Sequence, residues 1–236
     1  MNSKREKLKA FEDLLDIMEE LRKKCPWDRE QTLESLRNLT IEETYELADA
    51  ILEKNLEEIR KELGDLILHI VFYSKIGEEK NAFDIADVIR GINEKLIFRH
   101  PHVFGDTAVE NADQVKENWE EIKRKEGHKS VLAGVPASLP AMIKANRVQE
   151  KVRAVGFDWE EPFQVWNKVE EELDEVKTAI TKNSIEETES EFGDLLFSII
   201  NAARLHGIDP ETALEKTNKK FIKRFLILEK ETLHKG

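Results

Sequence analysis

Residues 40–70 read TIEETYELADAILEKNLEEIRKELGDLILHI, and this stretch decides the fold. It predicts two helices separated by a break near Lys54 and Asn55, with a capping box at Thr40 starting the first helix. The acidic side chains fall at helical spacing. The first helix carries Glu42, Glu43 and Glu46, and the second carries Glu62 and Asp65. The stretch therefore predicts a helical hairpin with an acidic face.

The same pattern occurs again 129 residues further along the chain. Its acidic positions are Glu171, Glu172, Glu175, Glu191 and Asp194. The third and fourth carboxylates are 16 residues apart in both copies, and the glycine before the aspartate, Gly64, recurs as Gly193. A repeated supersecondary unit indicates a duplicated domain. We predict an all-α protein of two tandem helical-bundle domains, at residues 1–127 and 141–236, joined by a linker at 128–140.

The composition fits a helical protein and narrows its function. The 236-residue chain is 40% hydrophobic and 36% charged, with a formal net charge of −12. This charge argues against binding to nucleic acid or to an anionic membrane, because both require a basic surface. Cys25 is the only cysteine, so no intrachain disulfide can form. No stretch has the ~20 apolar residues of a membrane span or the core of a signal peptide, and we predict a cytoplasmic protein.

The acidic residues have the chemistry of a metal site. Glu43 and Glu46 share one helix face, as do Glu62 and Asp65 on the next helix. Carboxylates that converge inside a bundle repel one another unless cations lie among them. Ligand sets made only of oxygen select a hard cation, and Mg²⁺ usually completes its shell with water and substrate phosphates. The pattern predicts a Mg²⁺-dependent site for a phosphate ester or anhydride.

Alternatives exist for each of these features. A single acidic motif is most often a solvated helix face, although the duplication argues against that here. Gly64 and Gly193 interrupt strong helices, which indicates close approach of a neighbouring helix or a ligand and places the following aspartates at crowded inward positions. His69 lies four residues after Asp65 and suggests a di-iron site. The repeat has Ser198 there, so we interpret His69 as a packing histidine.

A third helix in each half supplies polar and basic residues. They are Asn93, Lys95 and Arg99 in the first half and Asn218, Lys220 and Arg224 in the second. The lysine and the arginine are four residues apart and so share a helix face. A basic face beside a metal-loaded acidic face suits a polyphosphate. The alternative is that these cations only neutralise the nearby acids.

Three motifs stand together in this chain. They are CPWD at residues 25–28, the pair EETYE and ELGD at 42–46 and 62–65, and RHPHVFGD at 99–106. Their combination resembles the MazG family of nucleoside triphosphate pyrophosphohydrolases over nearly the whole chain. The resemblance implies tandem all-α MazG domains, a homodimer, and Mg²⁺-dependent hydrolysis of nucleoside triphosphates to monophosphate and pyrophosphate, with Mn²⁺ as an alternative cation.

The resemblance also assigns roles to individual residues. The metal ligands would be Glu172, Glu175, Glu191 and Asp194 in the second half and Glu43, Glu46, Glu62 and Asp65 in the first. The triphosphate would be bound by Lys220, Arg224 and Asn218, with Lys95, Arg99 and Asn93 as their counterparts. Glu171 or Glu42, outside the metal shell, is the candidate general base. The second half is the expected main catalyst.

The expected substrates are the canonical ribo- and deoxyribonucleoside triphosphates, in a house-cleaning role for the nucleotide pool. Two alternatives stay open at this point. The first is a narrower pyrimidine or modified-nucleotide pyrophosphohydrolase with the same chemistry. The second is a non-enzymatic acidic interaction protein in which one half is a degenerate domain.

Overall fold

A computed structural model describes residues 1–109, 111, 114–115, 118–119, 122, 130–159 and 161–233. Every regular element among these residues is an α-helix, which confirms the predicted all-α class. The chain divides into two compact units, Met1–Ala108 and Val109–Gly236. The predicted boundary at residue 127 and the start of the linker lie outside the described residues. The limits of the two domains therefore stay predictions.

The first unit is built around one helical hairpin. Its helices are α1 (Lys4–Lys24), α2 (Pro26–Glu30), α3 (Leu33–Leu52), α4 (Leu56–Glu79), α5 (Ile85–Arg99) and α6 (Pro101–Phe104). Helices α3 and α4 pack against each other, and α1 and α5 pack on α4. The buried centre of the unit consists of Met18, Leu36, Val71, Phe72 and Ile76. This core holds α1 against the hairpin and fixes the direction in which the acidic face of α3 and α4 points.

The first acidic helix begins earlier than predicted. Helix α3 starts after Thr32, whose hydroxyl accepts a hydrogen bond from the Ser35 amide, and it passes through Thr40 without a break. The Thr40 hydroxyl donates to the Leu36 carbonyl, and its oxygen lies 2.7 Å from the Tyr73 hydroxyl of α4. The predicted capping box at Thr40 is therefore wrong. A threonine hydroxyl that bonds back to the preceding helical turn is compatible with the helix interior.

A three-residue turn folds α4 back against α3. Lys54 takes a positive φ of 55°, and the side chain of Asn55 accepts a hydrogen bond from the Glu58 amide to cap α4. This confirms the predicted break. Two packed helices joined by so short a turn run antiparallel, so the acidic positions of α3 come to lie opposite those of α4.

The second unit repeats this arrangement. Within residues 130–159 and 161–233 its helices are α7 (Ala141–Arg153), α8 (Pro162–Thr181), α9 (Ile185–Leu205) and α10 (Pro210–Leu233). Helices α8 and α9 form the second hairpin, α7 packs on α9, and α10 contacts both α7 and α9. Asn183 has a φ of 55°, and Ser184 caps α9 by accepting from the Glu187 amide. Asp209 caps α10 by accepting from the Thr212 amide at 2.8 Å, as the sequence predicts.

Small apolar side chains fill the second hairpin. Val165, Val176 and Ala179 are buried on α8, and Leu195, Ile200 and Ala202 are buried on α9. The outer helix faces also carry exposed large apolar side chains, among them Phe192 and Leu196 on α9 and Phe221 on α10. None of the helices in the described ranges combines the length and the apolar character that a bilayer span requires.

Candidate active site

The first hairpin brings three predicted ligands together. Glu43 and Glu46 project from α3 and Glu62 projects from α4, and carboxylate oxygens of the three lie within 4.8 Å of one another. Residues three apart on a helix share a face, and the antiparallel turn places that face opposite Glu62. Glu62 is only 4% exposed, whereas Glu46 is exposed to solvent. We call these three residues the N-terminal cluster.

The second hairpin forms the matching group from the repeated positions. Glu172 and Glu175 on α8 and Glu191 on α9 also have carboxylate oxygens within 4.8 Å of one another. Here the buried member is Glu172, which is 6% exposed, while Glu175 is exposed. We call these three residues the C-terminal cluster. The duplication seen in the sequence therefore produces the same grouping of carboxylates twice.

Burial and mutual repulsion raise the pKa of one carboxylate in each cluster. Desolvation, followed by the negative charges of Asp65, Glu46 and Glu62, raises the pKa of Glu43. Desolvation, followed by the charges of Glu172 and Glu191, likewise raises the pKa of Glu175. A carboxylate whose pKa is raised by its neighbours is stabilised by an added cation. Each cluster thus has the electrostatics of a cation site.

The donor set fits Mg²⁺. Each cluster offers only carboxylate oxygens, the ligand type that hard cations prefer. With bonds of about 2.0–2.1 Å, two oxygens on one octahedral Mg²⁺ are about 3 to 4 Å apart. The 4.8 Å limit within each cluster is close to that span, so small side-chain movements suffice to close on an ion. The exposed member of each cluster leaves a side open to water or to a substrate phosphate.

Comparison with known proteins now decides the family. The family model described as the MazG nucleotide pyrophosphohydrolase domain matches residues 31–104 and, again, residues 161–225. The two matches together cover more than half of the chain and contain every predicted metal ligand. The chain belongs to the MazG family. It is therefore a hydrolase that acts on phosphoanhydride bonds, and the non-enzymatic alternative is wrong.

Two sequence relatives agree with this assignment over most of their length. The nucleoside triphosphate pyrophosphohydrolase/pyrophosphatase MazG of Thermotoga maritima is 49% identical over 224 residues, which cover 93% of this chain and 85% of the relative. The nucleoside triphosphate pyrophosphohydrolase of Escherichia coli is 41% identical over 97% of this chain and 90% of its own. A crystal structure of a MazG-related protein from Thermotoga maritima is 27% identical and matches 48% of this chain and 98% of its own, with a TM-score of 0.43.

The fourth predicted ligand of each MazG half lies beside its cluster. Asp65 is half-buried, and its charge contributes to the raised pKa of Glu43. Asp194 is exposed. Neither belongs to the group whose oxygens all lie within 4.8 Å. The geometry therefore brings three of the four predicted carboxylates of each half together, and the assignment of Asp65 and Asp194 as ligands stays a prediction.

The two general-base candidates differ in their partners. Glu42 and Glu171 are both exposed and directly precede a cluster residue on the same helix. The Glu171 carboxylate accepts a hydrogen bond from the Lys168 ammonium at 2.9 Å. Both carboxylates are outside the clusters, as the role of a base requires.

Two lysines that sequence reasoning missed contact the clusters. Lys168 forms ion pairs with Glu172 at 2.7 Å and with Glu171 at 2.9 Å, and these hydrogen bonds raise the pKa of its ammonium. Lys61 lies 3.6 Å from the Glu62 carboxylate. The signal for Lys168 was available, because a lysine four residues before a glutamate shares its helix face.

The predicted phosphate-binding residues lie on α5 and α10. Lys220 and Arg224 are exposed, and in the described part of the chain no ion pair joins either one to a carboxylate. Asn218 donates to Glu215 at 3.3 Å. On α5, Asn93 and Lys95 are exposed and Arg99 is half-buried. Both the alternative that these cations only neutralise acids and their contact with phosphate stay predictions.

The two glycines do not mark a close approach within the chain. Gly64 and Gly193 are exposed, and a methyl group built on either would meet no atom within 4 Å. The predicted crowding at the glycines is therefore wrong. The reason is helical geometry: each glycine comes two residues after a cluster glutamate, about 200° around the helix, and so lies on the outer face of its hairpin. Of the two aspartates that follow the glycines, Asp65 is half-buried with its charge acting on Glu43, whereas Asp194 is exposed.

His69 is buried, in agreement with its interpretation as a packing histidine. Burial lowers the pKa of its imidazole, against the opposing charge of Asp65. The hydroxyl of Ser198, the matching residue in the second half, donates to the Leu195 carbonyl at 2.9 Å. The carboxylate–histidine pair is therefore present in one half and absent from the other, which differs from a duplicated di-iron centre.

Proposed function

We propose that the chain hydrolyses nucleoside triphosphates to monophosphates and pyrophosphate in a Mg²⁺-dependent, cytoplasmic reaction with broad activity on canonical ribo- and deoxyribonucleotides. The observation that carries the proposal is the duplicated cluster of three carboxylates within 4.8 Å. The printed names of the Thermotoga maritima and Escherichia coli relatives supply the substrate class. A triphosphate brings the oxygen ligands that an incompletely coordinated Mg²⁺ requires.

The acidic residues of the second half divide the chemistry among them. Glu172, Glu175 and Glu191, with Asp194, would hold Mg²⁺, and a bound Mg²⁺ would supply Lewis-acid polarisation of the phosphate and a lowered pKa of water. Glu171 orients the attacking water and accepts its proton. The water oxygen bonds to the α-phosphorus while the bond to the α,β-bridging oxygen breaks. Pyrophosphate leaves with the electron pair of that bond.

The basic residues of α10 bind the departing phosphates in this proposal. Lys220 and Arg224 are four residues apart on one face, so both charges point to the same side of the helix. Arginine binds phosphate in a bidentate manner and lysine binds it as a point charge. Asn218 lies two residues before Lys220, about 200° around the helix, so it would offer its amide donor from a different face of α10. In the first half the corresponding residues are Asn93, Lys95 and Arg99, with Glu42 as the base.

Product analysis with matched variants tests the proposal. With Mg²⁺ and a panel of nucleoside triphosphates, the first products are the monophosphate and pyrophosphate. Glu175→Gln lowers turnover about 100-fold, because it removes a ligand that contributes several kcal/mol of charge stabilisation. Glu46→Gln has a smaller effect, since the second half is the main catalyst. Asp174→Asn is the control, because this exposed carboxylate on the same helix pairs with Lys177 outside the cluster.

Other outcomes would contradict separate parts of the proposal. Orthophosphate and a nucleoside diphosphate as first products would rule out attack at the α-phosphorus. A steep preference for pyrimidine or modified nucleotides across the panel would replace broad activity with the narrower enzyme. An equal loss in Glu175→Gln and Glu46→Gln would remove the catalytic difference between the halves.

We also propose that the chain forms a homodimer through the outer faces of its hairpins. Each hairpin leaves an apolar stripe exposed at spacings of four and three residues. The stripe consists of Leu63, Ile67 and Ile70 on α4 and, at the repeated positions, of Phe192, Leu196 and Ile199 on α9. Apolar faces of this kind are typical of interfaces. Light scattering tests this proposal, with an expected mass of twice the 27.4 kDa of one chain.

A further inference from the structure

The C-terminal cluster has an ammonium group in direct contact with its buried carboxylate. Lys168 lies on α8 one turn before Glu172, and its Nζ atom is 2.7 Å from the Glu172 carboxylate and 2.9 Å from that of Glu171. The lysine side chain is 35% exposed, and the Glu172 side chain is 7% exposed. The ion pair is therefore partly shielded from water, and its attraction is screened less than that of a surface pair.

The N-terminal cluster lacks an equivalent contact. The repeat position of Lys168 is Leu39, an apolar residue packed against the core of the first unit. The nearest analogue is Lys61, whose ammonium is 3.6 Å from Glu62, is shared with Glu58 at 3.0 Å, and belongs to a side chain that is 64% exposed. The two clusters thus have the same ligands but different counter-cations.

The Lys168 ammonium is bonded to one of the two oxygens of the Glu172 carboxylate. A divalent cation that binds Glu172 therefore competes with Lys168 for the charge and the lone pairs of this carboxylate. After displacement, the lysine remains tethered one helical turn away and repels the bound ion. Both effects lower the affinity of the C-terminal cluster for a divalent cation. Neither effect acts with equal strength on the N-terminal cluster, because Lys61 is further away and more exposed.

We propose that Lys168 is a displaceable internal counterion that makes the C-terminal cluster the weaker of two divalent-cation sites in the nucleotide-free protein. The N-terminal cluster fills first as the free cation concentration rises. The C-terminal cluster binds its cation when a nucleoside triphosphate adds its own oxygen ligands to that cation. This inference rests on the proposed metal sites and adds an order of loading to them. Lys168 acts on the cation affinity of this cluster only through its contact with Glu172.

Manganese binding to the full-length chain without nucleotide tests the inference. Titration followed by electron paramagnetic resonance or calorimetry is expected to resolve a tighter and a weaker site. Lys168→Leu, which installs the residue found at the repeat position, tightens the weaker site about threefold to tenfold, the range set by one partly exposed ion pair and a removed repulsion. Glu62→Gln removes the tighter site and so assigns the two. Lys168→Arg keeps the weak affinity.

A matched control separates local from general charge effects. Lys177→Leu removes another lysine–carboxylate pair of α8, in which the Lys177 ammonium is 2.7 Å from the Asp174 carboxylate. This exposed pair lies outside the cluster. The manganese affinities of this variant stay within about 1.5-fold of the original. If Lys168→Leu fails to fold, Lys168→Gln replaces it. The rise in melting temperature on adding manganese is then larger than in the original chain.

Failure of the inference differs from failure of the proposed function. If a folded Lys168 variant binds manganese at both sites with unchanged or weaker affinity, the counterion role is overturned. The proposed metal sites themselves are then unaffected. Equal changes in Lys168→Leu and Lys177→Leu would also overturn the counterion role. A chain that binds no manganese at either cluster would remove the proposed metal sites and the inference together.

Discussion

The two halves of the molecule place the same carboxylates in different surroundings. In the first half the buried ligand is Glu62 on the second helix of the hairpin, and its repeat counterpart Glu191 is half-buried. In the second half the buried ligand is Glu172 on the first helix, and its counterpart Glu43 is half-buried. Duplication therefore preserved which residues converge. The packing of each unit decided which of them loses contact with water.

The ion pairs that anchor each hairpin differ in the same way. Lys75 and Arg204 occupy equivalent positions near the end of the second hairpin helix. Lys75 pairs with Glu19 on α1 and with Glu78, whereas Arg204 bonds to Asp158 in the loop that precedes α8. One position thus ties down a helix in the first half and a loop in the second. Three measurements test whether the two halves differ in this way.

The largest expected effect comes from removing the more buried cation. The Arg204 side chain is 7% exposed and donates to Asp158 at 3.1 Å and to Asn201 at 3.0 Å. Arg204→Met removes the closer and more buried cationic partner of Asp158 and is expected to lower the free energy of unfolding by about 2–3 kcal/mol. Lys75→Met lowers it by about 1 kcal/mol. Urea denaturation followed by circular dichroism measures both.

Arg153→Met serves as the control for this pair of variants. Arg153 lies 3.5 Å from Asp158, and its side chain is 66% exposed, so its loss changes stability by less than about 0.5 kcal/mol. Equal destabilisation by Arg204→Met and Lys75→Met would show that the two equivalent positions contribute alike to stability. The two halves would then not differ at this position.

An intermediate effect is expected from acid. The hydrogen bond from Arg22 lowers the pKa of Glu79 from its usual 4.5. Partial burial opposes ionisation of Asp158, but Arg204 and the Trp159 amide outweigh it and lower the pKa below the usual 3.8. A carboxylate whose pKa is lowered by folding contributes stability above its unfolded pKa, and this contribution is lost as the pH falls through the folded pKa.

The metal-free protein in a chelator is therefore expected to lose stability progressively in acid. The Glu79 contribution from the first half begins to fall below about pH 4.5, and the Asp158 contribution from the second half begins to fall below about pH 3.8, so the two losses overlap. Glu79→Gln and Asp158→Asn each reduce this loss of stability, as measured by urea denaturation across this pH range. Acid sensitivity that is unchanged in both variants would contradict these assignments.

The smallest effect is expected at Lys61. Its ammonium is 3.6 Å from Glu62 and largely exposed, so Lys61→Leu changes the manganese affinity of the N-terminal cluster by less than about twofold. The same titration that follows the Lys168 variants measures this. A change as large as that of Lys168→Leu would mean that both clusters carry counterions of equal strength, and the contrast between the halves would then disappear.

Local sequence patterns predicted much of the fold and of the site. Helical spacing, the breaks at Asn55 and Ser184 and the cap at Asp209 follow from interactions within a few residues, and the structure confirms them. The convergence of Glu43 and Glu46 with Glu62 follows from the same local rules, because a short turn between two helices leaves their facing positions little choice.

Errors arose where a residue had more than one physical explanation. Thr40 carries a capping pattern, yet its hydroxyl bonds inside a longer helix and contacts Tyr73, which is 33 residues away. Gly64 and Gly193 suggested crowding, whereas they lie on open outer faces. A threonine that caps and one that bonds to the preceding turn look alike in sequence, because only the partner distinguishes them.

The amino-acid sequence by itself determined that this chain is helical, that it is duplicated, and that two sets of carboxylates converge in it. Those properties depend on periodicity and on spacing, which are fully written in the order of the residues. Only the tertiary structure shows that Glu62 is the buried ligand in one half and Glu172 in the other. It also shows that Lys168 pairs with Glu172 at 2.7 Å, whereas Lys61 lies 3.6 Å from Glu62. Burial and ion pairing depend on which helices pack around a residue, and that packing involves contacts between segments far apart in the chain.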